Sequence, residues 1–200
     1  MTHDALKEAA AVVMKSAKKR LARTGSLAIN VVYVLPNGDV IKEETADPAL
    51  INNGPARAIL FDMMRNRIQE LKAEAVIWTS DIWYLDSSPA IYQERIREIG
   101  IENFRALTDR LGVVASANQG FGIAREAINL VLQTYDWTYC LVQFYARRGS
   151  DQSHIVFLQQ DIHDMGVGDD KRAVGRGVQL FKSNVEQREK PCPDALKFDS

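Results

Sequence analysis

Apolar and polar residues alternate along this chain in two rhythms, and the rhythm changes mark its elements. From residue 4 to 23, Ala5, Ala9, Val12, Val13 and Ala17 recur at three- and four-residue spacing in an alanine-rich segment, which predicts a helix stopped by Gly25. Residues 26–44 alternate instead. Leu27, Ile29, Val31, Tyr33 and Leu35 share one face and Ala28, Asn30, Val32 and Val34 the other, as in an interior strand. Pro36-Asn37-Gly38-Asp39 carries turn chemistry, and the short charged return strand Val40–Glu44 suits a protected edge.

After a break at Asp47-Pro48, helical spacing returns over 55–72. Ile59, Leu60, Met63, Met64, Ile68 and Leu71 form a stripe expected to cover one face of a sheet. The run 75–85 begins as a buried strand, with Ser80-Asp81 as a bulge or as the strand's end. Ser88-Pro89 then starts two short helices, or one kinked helix, broken at Gly100 and closed at Gly112. This 89–111 segment lies between strands and is expected to be an insertion outside the sheet, with an apolar stripe suited to a dimer contact. Val113-Val114 suggests a short strand, followed by a loop at Asn118–Gly122.

Residues 127–160 contain three apolar runs separated by short polar breaks, the signature of a three-stranded antiparallel meander. Ile128, Leu130 and Leu132 oppose Asn129, Val131, Gln133 and Tyr135. Cys140, Val142 and Phe144 oppose Tyr139, Leu141, Gln143 and Tyr145. Ile155 and Phe157 oppose His154, Val156 and Leu158. The polar members of these strands imply a half-polar face opposite the helix-covered one. Beyond Gln160 the alternation fails. Residues 1–164 therefore read as a single α+β domain and 165–200 as a loop-rich tail in which Val178, Leu180 and Phe181 dock a short segment locally.

Composition narrows the picture a little. The chain has 200 residues, 46% hydrophobic and 26% charged, with a formal net charge of −1. That balance suits a folded domain and gives no electrostatic case for nucleic acid or an anionic membrane as the main partner. Lys15, Lys18, Lys19, Arg20 and Arg23 do crowd the end of the first helix. They read as the solvated half of a docking helix rather than a phosphate-contacting surface. Cys140 falls in a strand and Cys192 in a proline-flanked tail, so no disulfide framework is expected. The N-terminus has the wrong charge order for a signal peptide, and no apolar run is long enough to span a bilayer. A cytoplasmic location is the expectation.

No motif in the chain fixes a reaction. His154, Asp161, His163 and Asp164 are close in sequence but match no recurrent ligand spacing, so no metal or other cofactor is expected. Ser80, Ser87, Ser88 and Ser116 lack a nucleophile-elbow context. A Cys140 thiolate would be opposed by desolvation inside its strand. The carboxylate pairs Glu43/Glu44 and Asp169/Asp170 lie in solvated segments, and Gly120 and Gly122 lack the continuation of a nucleotide-binding loop. Arg147-Arg148 and Lys171, Arg172 and Arg176 are available to an acidic partner, or simply keep their loops soluble.

Two groups remain as candidate ligand-binding residues. Asp81 lies among Trp78, Trp83 and Tyr84, and Asn129, Gln133, Gln143 and Tyr145 supply the polar positions of the meander. The fold expected is α+β, a mostly antiparallel sheet of about five or six strands with the 55–72 helix on one face. The first helix and the insertion are expected to be peripheral or to cover an edge. The function expected is a non-catalytic binding or assembly module, with a protein partner or self-association. The alternative is a small cytoplasmic enzyme with its pocket at the Trp78–Tyr84 cluster.

Overall fold

The computed structural model describes residues 1–45, 54–87, 89–149, 153–165 and 180–181. Six strands form one antiparallel sheet in the order β2-β1-β3-β4-β5-β6. In chain order the elements are α1 (His3–Thr24), β1 (Ile29–Val34), β2 (Val40–Thr45), α2 (Gly54–Leu71) and β3 (Ala75–Asp86). The helices α3 (Ala90–Ile99), α4 (Ile101–Leu111) and α5 (Val113–Asn118) follow, then β4 (Ile123–Thr134), β5 (Thr138–Arg148) and β6 (His154–Met165). The expected α+β class, the antiparallel sheet and the helical insertion are all present.

The first helix begins where Thr2 accepts a hydrogen bond from the Ala5 N–H, and it stops at Gly25, whose left-handed φ of 72° lets its N–H reach the Leu21 carbonyl. Its buried residues are Leu6, Ala10, Met14, Ala17 and Leu21, one step from the predicted stripe, and Val12 is 65% exposed. Residue size decides the frame. The segment is apolar at so many consecutive positions that two stripes share the helical period, but only one carries Leu6, Met14 and Leu21. Each such side chain gains about 1.5–3 kcal/mol on burial. This stripe packs on Val32, Val34, Ile77, Ile128, Leu130, Leu132 and Leu141. The helix is therefore the cover of the main core, not a peripheral element.

The opposite face carries α2. Leu60, Phe61, Met64 and Ile68 pack on Ile29, Val31, Tyr33 and Val76, while Ile59 and Met63 of the predicted stripe stay exposed. Leu180 joins this cluster, 2% exposed, and its N–H donates to Gln133 Oε1 at 3.3 Å. Both faces of the sheet thus carry helices, and the polar positions expected to lie open do not. Asn129, Gln133, Gln143 and Tyr145 are all buried; the first two share the α2 face and the last two the α1 face.

Three further expectations change. The strand β3 runs unbroken through Ser80-Asp81, because β4 pairs with it continuously from Ala75↔Thr134 to Asp86↔Ile123. Val113-Val114 opens a third insertion helix rather than a strand. Here the Ser116 N–H and hydroxyl both return to the Gly112 carbonyl, and these local bonds override β-branched preference. Past Gln160 the sixth strand continues to Met165, since its pairing with β5 extends to Thr138↔Met165. The Asp47-Pro48 break, the Ser88 cap, Val178, Cys192 and the charged pairs and cations of 166–179 lie outside the described residues.

A bulge interrupts the pairing of β5 with β6. Between Gln143↔Gln160 and Tyr145↔Phe157, β5 advances two residues and β6 three, so the extra residue lies at Leu158-Gln159. The buried Gln143 amide donates to the Leu158, Gln159 and Phe144 carbonyls at 2.9, 3.2 and 3.0 Å. Its oxygen accepts from Lys18 Nζ at 3.0 Å, which ties α1 to the bulged edge.

Candidate functional site

The register sets two rows of side chains across the α1 face. One runs Asp81–Ile128–Gln143–Gln160 and the next Trp83–Glu126–Tyr145–Phe157. Their polar members meet just beyond the C-terminal end of α1. The Tyr145 hydroxyl donates to Asp81 Oδ1 at 2.6 Å and lies 3.4 Å from Glu126 Oε1. Arg147 donates through Nε to Glu126 Oε1 at 2.8 Å, through Nη1 to the Gly25 carbonyl at 2.9 Å and through Nη2 to the Tyr145 oxygen at 3.3 Å. The guanidinium thus closes the end of α1, where a carbonyl and the helix dipole favour a cation.

Burial raises the Asp81 carboxyl above its ordinary value, against the Tyr145 hydrogen bond, which lowers it; the neighbouring Glu126 charge raises it further. Burial, followed by the hydrogen bond to Asp81, likewise drives the Tyr145 hydroxyl well up, so it stays a donor. Within this network the donors and acceptors answer one another. It holds no serine, cysteine or histidine.

A second charged region adjoins it. Between α1 and the edge of the sheet runs a groove of about 420 Å³. The helix contributes Ala11, Met14, Lys15, Lys18, Lys19 and Ala22, and the sheet contributes Leu141, Phe157 and Gln160. Lys18 is fixed by Gln143 and sits 4.7 Å over the Phe157 ring. Lys15 and Lys19 are exposed and form no ion pair among the described residues. Other cations of the same helix are paired: Lys7 with Asp164 at 2.7 Å and Arg20 with Glu44.

The residues singled out in the sequence separate. Asp81 and Tyr145 come together. Gln143 supports the bulge and Lys18, and Trp83 is 45% exposed on the same face. The aromatic cluster around Asp81 does not assemble, because alternation along β3 sends Trp78 and Tyr84 to the α2 face. There Trp78 meets Phe61 edge-on at 5.8 Å and Tyr84 meets Phe144 at 5.2 Å. Asn129 is 6% exposed on that face beside Ser80, its register partner, and neither Asn129 Oδ1 nor Ser80 Oγ has a hydrogen-bond partner among the described residues. His154 and His163, close in sequence, both lie on β6, His154 opposite Arg148 and His163 opposite Cys140. That spacing along one strand holds them about 30 Å apart. No group of three or more His, Cys, Asp or Glu is placed to hold a metal among the described residues. Burial pushes the Cys140 thiol up to about 12, which keeps it protonated.

The groove is the feature that sequence pattern does not reveal, though part of its signal is visible there. Positions three and four residues from Lys15 and Lys19 hold alanine, valine, serine, lysine and arginine, but no acid. Lys15 also lies more than two turns before Thr24, too far for the helix dipole to account for it.

No family model matches the chain, and comparison with curated proteins and with solved structures gives no match. Among the described residues no helix is long and apolar enough to cross a membrane.

Proposed function

We propose that this protein is a non-catalytic binding module whose groove between α1 and β6 takes an anionic ligand with an apolar body. One observation carries the reading: three lysines of like charge stand over an apolar floor, with no acid among the described residues that line the groove. Like charges at three- and four-residue spacing repel on a helix, each pair costing about 0.2–0.5 kcal/mol. An anion seated among them relieves that repulsion, and Phe157 with the lysine stems, above the buried Met14 and Leu141, offers its body a place away from water. The neighbouring Asp81–Arg147 network supports the same conclusion by contrast, since its charges are already used within the fold. A polyanion such as nucleic acid fits less well, because Lys7 and Arg20 are neutralised by Asp164 and Glu44 and the positive track is short.

The test is titration with 8-anilinonaphthalene-1-sulfonate, an anionic apolar dye, followed by its fluorescence. The wild-type chain is expected to bind one dye saturably. Lys15→Glu should weaken binding by about tenfold, equivalent to ~1.4 kcal/mol. No saturable binding, or equal binding by the variant, overturns the reading.

A further inference from the structure

We infer that the ligand of this groove is a free single-chain fatty-acid carboxylate, held by the Lys15 and Lys19 ammonium groups with its chain along Phe157 and the lysine stems, above the buried Met14 and Leu141. This rests on the proposed anionic-ligand groove and narrows it to one chemical class.

Shape and charge point the same way. The lining stripe of α1 runs from Ala11 to Ala22, and eleven helical rises make it about 16 Å long. A groove of that length suits one extended chain. The alanines at its two ends leave both open, and Ile162, paired with Leu141 on the same face of the sheet, is 58% exposed. The volume of about 420 Å³ falls in the range of small-molecule sites. A stable protein partner needs about 800 Å² from each side, far more than one helix stripe and one edge strand supply.

The choice of head group follows from the donors. Among the described residues they are compact lysine point charges and one glutamine amide, with no arginine fork. The groove lies along the middle of α1, where the backbone N–H groups are committed to the helix, so no helix terminus or backbone nest adds donors. A carboxylate offers two oxygens to this set. A phosphate monoester offers three and carries up to two charges, whereas Lys18 is already bonded to Gln143, which leaves Lys15 and Lys19 to pair one for one with the two carboxylate oxygens. The Lys15 and Lys19 stems line the walls while their charged ends remain at the rim, as an amphiphile with its head toward water requires, and Lys18 turns inward to the Gln143 amide.

Isothermal titration below the critical micelle concentration tests the assignment, using dodecanoate, dodecyl phosphate, dodecyltrimethylammonium and acetate, with dye displacement as a second readout. Dodecanoate is expected to bind one per chain and displace the dye, dodecyltrimethylammonium to bind at least about tenfold more weakly, and acetate not to bind. Lys15→Glu should weaken dodecanoate about tenfold without lowering the thermal midpoint. If the dye binds in a Lys15-dependent way but dodecanoate fails to displace it, the fatty-acid assignment is overturned while the anionic groove stands. Tighter binding of dodecyl phosphate overturns the carboxylate head. Equal binding of the cationic amphiphile shows that the lysines do not read charge, and removes the inference. Absence of any dye site removes the proposed function itself.

Discussion

Two charged regions adjoin on the α1 face and are built on opposite terms. At the end of the helix, Arg147 bonds Glu126, the Gly25 carbonyl and Tyr145, and Tyr145 bonds Asp81, so each charge has a partner within the fold. Alongside the same helix, Lys15 and Lys19 have none among the described residues, and the third lysine is held by a neutral amide. The difference separates architecture from readiness. Groups that answer each other fix the position of α1 on the sheet. The exposed charges above the apolar floor are the ones the proposed ligand would engage.

Substitutions should therefore act on stability in one region and on binding in the other. The largest effect is expected at Arg147, whose side chain and that of Glu126 are only 23% and 19% exposed. Arg147→Ala leaves Glu126 uncompensated beside Asp81 and should cost about 3 kcal/mol in urea unfolding. A loss under about 1 kcal/mol would mean that the network is not structural. Tyr145→Phe comes next, with a loss of about 1–2 kcal/mol; it should also raise the Asp81 carboxyl further, since the hydroxyl now holds that value down.

Asp81→Asn tests sign rather than size. Burial raises the folded carboxyl above 3.8, so the folded state keeps its proton to higher pH than the unfolded chain does. Its contribution to stability is then fullest below 3.8 and declines as pH rises through the folded value. Asparagine still accepts from Tyr145 but does not titrate. The variant's stability profile should lack this decline and differ from wild type by under about 1 kcal/mol at neutral pH. An unchanged profile would show that Asp81 is not desolvated. The smallest expected effect is at Lys15→Glu, which places an acid four residues before Lys19 and should raise stability by about 0.2–0.5 kcal/mol. A binding residue whose loss stabilises the fold is what the contrast requires; a clear loss of stability would make Lys15 architectural.

Much of this arrangement is legible in the sequence, and the failures have physical causes. Period-two alternation places Cys140, Val142 and Phe144 opposite Leu141, Gln143 and Tyr145, because each strand has its own faces to satisfy. The Asn37-Gly38 turn follows from local chemistry, and Gly38 does adopt a positive φ of 87°. What pattern alone misses depends on partners distant in the chain. Ser80-Asp81 look like a break until β4 pairs with them. Gln143 looks like an exposed polar residue until the β6 bulge presents its carbonyls to it. The lysines of α1 are plain to see, but their floor comes from Leu141 and Phe157, and only the fold brings that floor beneath them.

The most direct test of the contrast is an amide ¹H–¹⁵N NMR titration of the uniformly labelled chain with dodecanoate. Shifts are expected along the helix from Ala11 to Ala22 and along the strand from Phe157 to Ile162, with little change at Asp81, Glu126 and Arg147. Shifts centred on Asp81, Glu126 and Arg147, or spread evenly over the sheet, would contradict the account.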